Sequence, residues 1–130
     1  MNHPKSSYAV LSGGVGGAKL VAGMAATLKP DCLDVIANTG DDFEHLGFTI
    51  CPDIDTLLYT LSGQANSATG WGMANESWQF MDALEKLGGE TWFRLDDRDL
   101  ATHIFRRELL AQGKPLEEVT AQLAHTMGIN

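Results

Sequence analysis

YAVLSGGVGGAKLVAGMAATLKPDCLDVIAN, residues 8–38, begins with four apolar residues, passes through Gly13, Gly14, Gly16 and Gly17, and resumes at Ala18 with a helical pattern. A short continuous apolar run, Tyr8 to Leu11, suits a strand covered on both faces, as in a parallel sheet. Leu20, Val21, Met24, Ala25 and Leu28 recur at the helical period, so a helix is expected over residues 18–28, stopped by Lys29-Pro30. Residues 34–38 read as the next strand. Strand, glycine turn, helix and strand in that order make a βαβ unit, and the fold class follows: α/β, a Rossmann-like parallel sheet with flanking helices.

A strand that feeds glycines into a helix start offers unpaired N–H groups and the positive end of the helix dipole, a setting that favours phosphate. Gly14, Gly16 and Gly17 allow positive φ or close approach of the backbone to a ligand. The spacing narrows the ligand. Gly14-Val15-Gly16 starts like a dinucleotide fingerprint, but Lys19 stands where its third glycine belongs, and Asn38 stands where a ribose-binding carboxylate would end the second strand. A P-loop is excluded, because Lys19 follows Ala18 and precedes Leu20. A tight turn without a ligand remains the plain alternative.

Outward from this unit, residues 39–45 read as an irregular acidic stretch, followed by the apolar residues 48–51. Ile54, Leu57, Leu58 and Leu61 mark a helix that Ser62-Gly63 ends. Residues 64–75 form a Gly, Ser and Asn loop carrying Trp71, residues 76–87 an amphipathic helix closed by Gly88-Gly89, and residues 91–95 a strand. Two helices, residues 100–112 and 116–127, complete the chain. Two or three strands against five helices under-build a parallel sheet, so residues 1–130 are expected to be the N-terminal part of a single α/β domain that continues in a longer protein. The open sheet leads us to expect a homodimer.

The net charge of −8 and the single adjacent basic pair, Arg106-Arg107, argue against nucleic-acid and membrane-surface partners. No apolar run reaches the roughly 20 residues of a membrane span, and MNHPKSSYAV lacks the layout of a signal peptide, so a cytoplasmic protein is expected. Cys32 and Cys51 are too few and too far apart for a zinc site or redox pair, and read as inert thiols.

The carboxylates Asp41, Asp42, Asp53 and Asp55 fall in loops after strands or at a helix start, where open α/β sheets place ligands, and their oxygens suit Mg2+. Each has a plainer reading: Asp53 as an N-cap, Asp55 as a first-turn dipole partner, Asp41-Asp42 as a solvated loop. Asp97-Arg98-Asp99 stands between a strand and a helix, so Arg98 can reach a phosphate while an Asp caps the helix, or the charges pair internally. His103, one turn after Asp99, reads as its i,i+4 partner. Trp71, Trp78 and Trp92 read as core or pocket wall, with Trp71 free to stack on a planar ring.

Together, LSGGVGGAKL, NTGDDFEHLGFTICPDIDTLLYTL, GWGMANESWQFM and WFRLDDRDLATHIFRREL resemble the CofD family, the 2-phospho-L-lactate transferases of coenzyme F-420 biosynthesis, in order and across almost all of the chain. The resemblance implies transfer of a phospholactyl or phosphoenolpyruvyl group. Its donor would be a guanosine-diphosphate-linked lactate or enolpyruvate, its acceptor the side-chain hydroxyl of a deazaflavin, its by-product GMP and its metal Mg2+. It implies a phosphate or ligand cradle at Gly13, Gly14, Gly16 and Gly17, acceptor or metal contacts at Asp53 and Asp55, and donor contacts at Asp97 and Arg98. Asp55 and Arg98 are the expected catalytic pair; Asp41, Asp42 and Asp53 are the metal candidates. Residues 1–130 alone are expected to be inactive. Where the family reads Leu-Gly-Asp-Arg-Asp, this chain has Asp96 at the glycine, tolerable if that position needs positive φ. The alternative is a CofD-like regulator that binds nucleotide sugars without transferring anything.

Overall fold

A computed structural model describes residues 7–129. Its elements are β1 (Tyr8–Ser12), α1 (Gly14–Ala25), a single 3-10 turn (Pro30–Cys32), β2 (Leu33–Ala37), β3 (Phe43–His45), β4 (Phe48–Ile50), α2 (Pro52–Leu61), α3 (Gln79–Lys86), α4 (Asp97–Ala111) and α5 (Leu116–Thr126). β1 and β2 pair in parallel, Val10 opposite Val35 and Leu11 opposite Ile36, with α1 as the crossover. The βαβ reading therefore holds.

Alternation within the strands decides which face is covered. Val10, with Ala18 and Val21 of α1 and Leu57 of α2, forms one core cluster, while Leu11 and Ile36 point the other way and are exposed. A second core joins α2, α4 and α5 through Ile54, Leu58, Leu109, Val119 and Leu123. A third collects Phe48, Ile50, Met81 and Leu95.

Three expectations are corrected. The helix expected from Ala18 starts at Gly14, so three of the glycines lie inside its first turns. Low helix propensity loses there to close packing: a Cβ on Gly17 would stand 2.5 Å from Ser12 Oγ and 3.2 Å from Ser12 Cα, so only glycine lets α1 sit this near β1. The acidic stretch 39–45 ends in a strand, β3, which pairs antiparallel with β4 through a two-residue turn at Leu46 (φ 52°) and Gly47 (φ 76°). Residues 91–95 form no strand. Trp92 and Phe93 instead pack on Phe43 and His45, with Phe93 edge-on to Phe43 at 5.1 Å and the His45 ring 3.0 Å from the Phe93 carbonyl.

Helix starts also move. α4 begins at Asp97 rather than residue 100, because Asp96 caps it, and α3 begins at Gln79 rather than residue 76. Among the described residues, no helix is long and apolar enough to cross a membrane.

Candidate active site

At the glycine end of α1, Gly13 is extended and Gly14 takes φ 62°. The Gly14 N–H donates to Asp53 Oδ1 at 2.8 Å, while Asn38 Nδ2 donates to Asp53 Oδ2 and to Asp41 Oδ2, each at 2.8 Å. Asp53 thus does not cap its own helix, whose N-cap is Cys51 with Pro52 following; it reaches across to cap α1 and ties that helix start to the end of β2. Burial raises the Asp42 pKa, against a smaller lowering by the neighbouring Cys51 thiol. Asp42 Oδ1 is buried with no hydrogen-bond partner. Burial pushes the Cys51 thiol up to about 12, which keeps it an inert S–H. Asp41, Asp42 and Asp53 share this corner without converging on one point.

A cavity of about 510 Å³ opens between α2, α4 and the loops that carry Trp71 and Trp92. Trp71, Trp78, Trp92 and Phe93 wall it, and Trp71 and Trp92, 61% and 69% exposed, stand at its mouth. Its floor is polar. Arg106, fully buried, donates from Nη1 to Asp55 Oδ2 and to the Thr49 carbonyl, each at 3.2 Å, and from Nη2 to Asp55 Oδ1. Burial works against the guanidinium charge, but the bidentate Asp55 more than restores it, so Arg106 holds its proton above the ordinary value. His103 Nδ1 lies 3.2 Å from Arg106 Nη1, and His103 Nε2 lies 3.0 Å from Asp99 Oδ2. The Tyr59 hydroxyl donates to Asp99 Oδ1 and stands 3.0 Å from Thr102 Oγ1. Burial raises Asp99, but the bonds from His103 and Tyr59 outweigh it and hold the carboxyl below its usual value. Tyr59 is pushed up by burial and by the Asp99 charge.

Asp55, Asp99 and His103 are close enough in ligand atoms, within 4.8 Å of one another, to suggest a metal group. A cation there would face the Arg106 guanidinium, which already fills the Asp55 oxygens, so the cluster is better described as a buried ion-pair network.

The remaining candidates connect the two corners. Asp96 adopts φ −62°, so it does not occupy a position that needs positive φ; its Oδ1 accepts from the Arg98 and Asp99 N–H groups at 3.0 and 3.4 Å, and its Oδ2 from the Ser77 N–H at 2.6 Å. Asp97 accepts from the Phe80 and Gln79 N–H groups and the Ser77 hydroxyl, at 3.0, 3.1 and 2.8 Å, and these bonds lower its pKa. Arg98 donates to the Ala74 and Asn75 carbonyls and lies 3.4 Å from Asp96, pinning the loop that carries Trp71. That loop touches α1 as well: a Cβ on Gly70 would meet Val15 Cγ1 at 2.8 Å. The glycines, Asp53 and Asn38 therefore form one corner; Asp55 forms the cavity floor; Asp97 and Arg98 hold the frame between them.

The expected Asp99–His103 pair is present. Tyr59 and Arg106 were not singled out from sequence. A signal existed, since Asp99, His103 and Arg106 share one face of α4 at helical spacing, but no spacing rule says which face meets Asp55 and Tyr59 of α2.

A family model described as 2-phospho-L-lactate transferase CofD matches residues 9–130. Among curated proteins, the chain is similar to a phosphoenolpyruvate transferase from Streptomyces avermitilis, 45% identical over 115 residues that cover 88% of this chain and 36% of that protein. It is similar to one from Thermobifida fusca, 43% identical over 123 residues, covering 88% and 38%. It is also similar to one from Mycobacterium tuberculosis, 40% identical over 128 residues, covering 88% and 39%. The chain thus spans less than two-fifths of the length of these relatives.

Proposed function

Since the chain belongs to the 2-phospho-L-lactate transferase CofD family, we propose that its protein is a transferase of coenzyme F-420 biosynthesis. It moves a phosphoenolpyruvyl or phospholactyl group from a guanosine-diphosphate-linked donor to the side-chain hydroxyl of the deazaflavin 7,8-didemethyl-8-hydroxy-5-deazariboflavin and releases GMP. The names of the relatives favour enolpyruvate as the transferred acid. The observation that carries the reading is the cavity whose walls are Trp71, Trp78 and Trp92 and whose floor is Asp55, Asp99 and Tyr59, because a planar ring bearing a hydroxylated chain needs aromatic faces and hydrogen-bonding groups together.

An anionic donor belongs at the other corner. Helix geometry leaves the Val15 and Gly16 N–H groups without intrahelical acceptors, and nothing lies within 4 Å of where a Gly16 Cβ would point, so phosphate can approach the backbone there. The neighbouring carboxylates would repel it unless a cation intervened. Asp42, whose buried Oδ1 lacks a partner, fits Mg2+ best, with Asp41 beside it, while both oxygens of Asp53 already hold Gly14 and Asn38. When bound, Mg2+ supplies charge neutralisation at the donor phosphates. Asp53 orients the glycine helix toward the donor, Arg98 fixes the Trp71 loop over the acceptor, and Arg106 fixes the Asp55 carboxyl at the floor through two hydrogen bonds, against a burial that raises the Asp55 pKa.

Titrating the complete gene product with the deazaflavin and following its absorbance, then adding the guanylylated donor and quantifying GMP, tests the reading. Saturable binding followed by stoichiometric GMP is expected. Absence of both overturns it, and nucleotide-sugar binding without GMP release would point to the regulator instead.

A further inference from the structure

We infer that Asp99 takes the proton of the attacking hydroxyl in this transfer, an assignment that rests on the transferase reading above. Four carboxylates line the cavity: Asp55, Glu76, Asp96 and Asp99. Two are committed elsewhere, and a third, Glu76, is set apart by its exposure. Asp55 gives both oxygens to the Arg106 guanidinium and its side chain is only 9% exposed. Asp96 spends its oxygens on three backbone N–H groups. Glu76 is exposed at the mouth, where burial and the Asp96 and Asp99 charges raise its pKa.

Asp99 differs in both geometry and charge. Its side chain is 19% exposed, and each oxygen accepts one bond, Oδ1 from the Tyr59 hydroxyl and Oδ2 from His103, so each keeps a lone pair for a ligand. The tautomer of His103 follows from its neighbours: Arg106 can only donate, so Nδ1 accepts and the ring proton sits on Nε2, pointing at Asp99. His103 is thereby a positioning residue, with neither nitrogen available to the substrate. Asp99 is thus a carboxylate whose bonds from His103 and Tyr59 favour its ionised form while leaving lone pairs that face the cavity. A carboxylate so held can accept from a hydroxyl.

In the step this geometry supports, the hydroxyl oxygen forms a bond to the phosphorus that bears the acid group. The bond from that phosphorus to the bridging oxygen of the diphosphate breaks, and GMP leaves with its electron pair. The hydroxyl proton passes to an Asp99 oxygen and then to water at the cavity mouth. The hydroxyl becomes strongly acidic as its bond to phosphorus forms, so a carboxylate of low basicity suffices, provided its lone pair is aimed.

The test uses the complete gene product, the deazaflavin and the guanylylated donor. Asp99→Asn is expected to lower kcat about 100-fold or more, within the range of a lost general base. Acceptor affinity, read by absorbance titration, should stay within about threefold, because the ring contacts remain. An acceptor whose attacking hydroxyl is acidified by an adjacent fluorine should lose less from the substitution than the native acceptor does. In Asp99→Ala, added formate should restore part of the turnover, which keeps the assignment testable if the Asn variant folds poorly. Turnover of Asp99→Asn within about threefold of wild type, or a loss that neither the acidified acceptor nor formate relieves, overturns the assignment while leaving the transferase reading intact. A wild-type protein that binds no deazaflavin and releases no GMP removes the transferase reading, and the assignment with it.

Discussion

At the scale of single residues, Arg106 is the group whose loss the floor can least absorb. It is fully buried, and its two Nη groups reach Asp55, Thr49 and His103 while Nε has no partner. Arg106→Met would leave the Asp55 carboxylate buried without a counter-charge, and removing one partner of a buried pair costs about 3–5 kcal/mol. Urea denaturation should show a loss of that size. Arg106→Lys should recover only part of it, because an ammonium cannot bridge both oxygens of Asp55 while also reaching Thr49. Asp97 makes a pH-dependent prediction of known sign. Its pKa is lowered, first by the Phe80 N–H and then by Ser77 and Gln79, all of which bind the anion in the folded state. The stability it contributes is therefore fully present above the unfolded value of 3.8 and is lost as the pH falls through the lower folded value. Denaturation of wild type and Asp97→Ala should differ by a constant amount near neutrality and converge in acid. A difference that persists in strong acid would mean that Asp97 acts by packing rather than by charge.

At the scale of elements, the first turns of α1 contain glycines that act for different reasons. Gly17 is glycine because Ser12 is in the way, so Gly17→Ala should force α1 off β1 and cost about 1–3 kcal/mol. Gly14, at φ 62°, should cost about 1–2 kcal/mol as alanine through backbone strain alone. Gly16 meets nothing within 4 Å and has no positive φ, so Gly16→Ala should be neutral or gain up to about 1 kcal/mol of helix propensity. If Gly16 is there for a ligand, the same variant should weaken donor binding while the melting temperature holds. Calorimetry and equilibrium binding on the three variants separate these roles; equal donor affinity in Gly16→Ala would remove it from the donor cradle. The contrast explains what the sequence could reveal. The order β1, α1, β2 was legible because periodicity and turn residues are local signals. Asp53 was not legible as the cap of α1, since it stands 39 positions after Gly14 and the sequence between them carries no trace of the hydrogen bond that joins them. Residues 91–95 look like a strand because aromatic residues favour sheets, yet Trp92 and Phe93 find their burial against Phe43 and His45 without a ladder. The network at the cavity floor was half visible: Asp99 to His103 is a spacing, whereas Asp55 to Arg106 is a tertiary contact between α2 and α4.

At the scale of the whole molecule, the described residues cover the parallel pair β1 and β2 on one side only, with α1 and Leu57 of α2. Parallel sheets are stable when both faces are packed. Here Leu11, 80% exposed, and Ile36, 57% exposed, sit opposite each other on the bare face, and Asp34 supplies the only charge among the outward-facing residues of β2. Two strands also leave two free edges, each able to pair with another strand. A polypeptide of these 130 residues should therefore self-associate through this face, despite a net charge of −8 that opposes contact between copies. Sedimentation equilibrium across a wide concentration range should show reversible association. Leu11→Lys combined with Ile36→Lys should shift the population to monomer with helix content unchanged, since neither side chain belongs to a core cluster. Raising the salt concentration should strengthen association of the wild type, because screening relieves the mutual repulsion while the apolar contact remains. A wild-type chain that stays monomeric throughout, or a double variant that associates as strongly, would show that the bare face needs no cover and that the α1 side alone stabilises the pair.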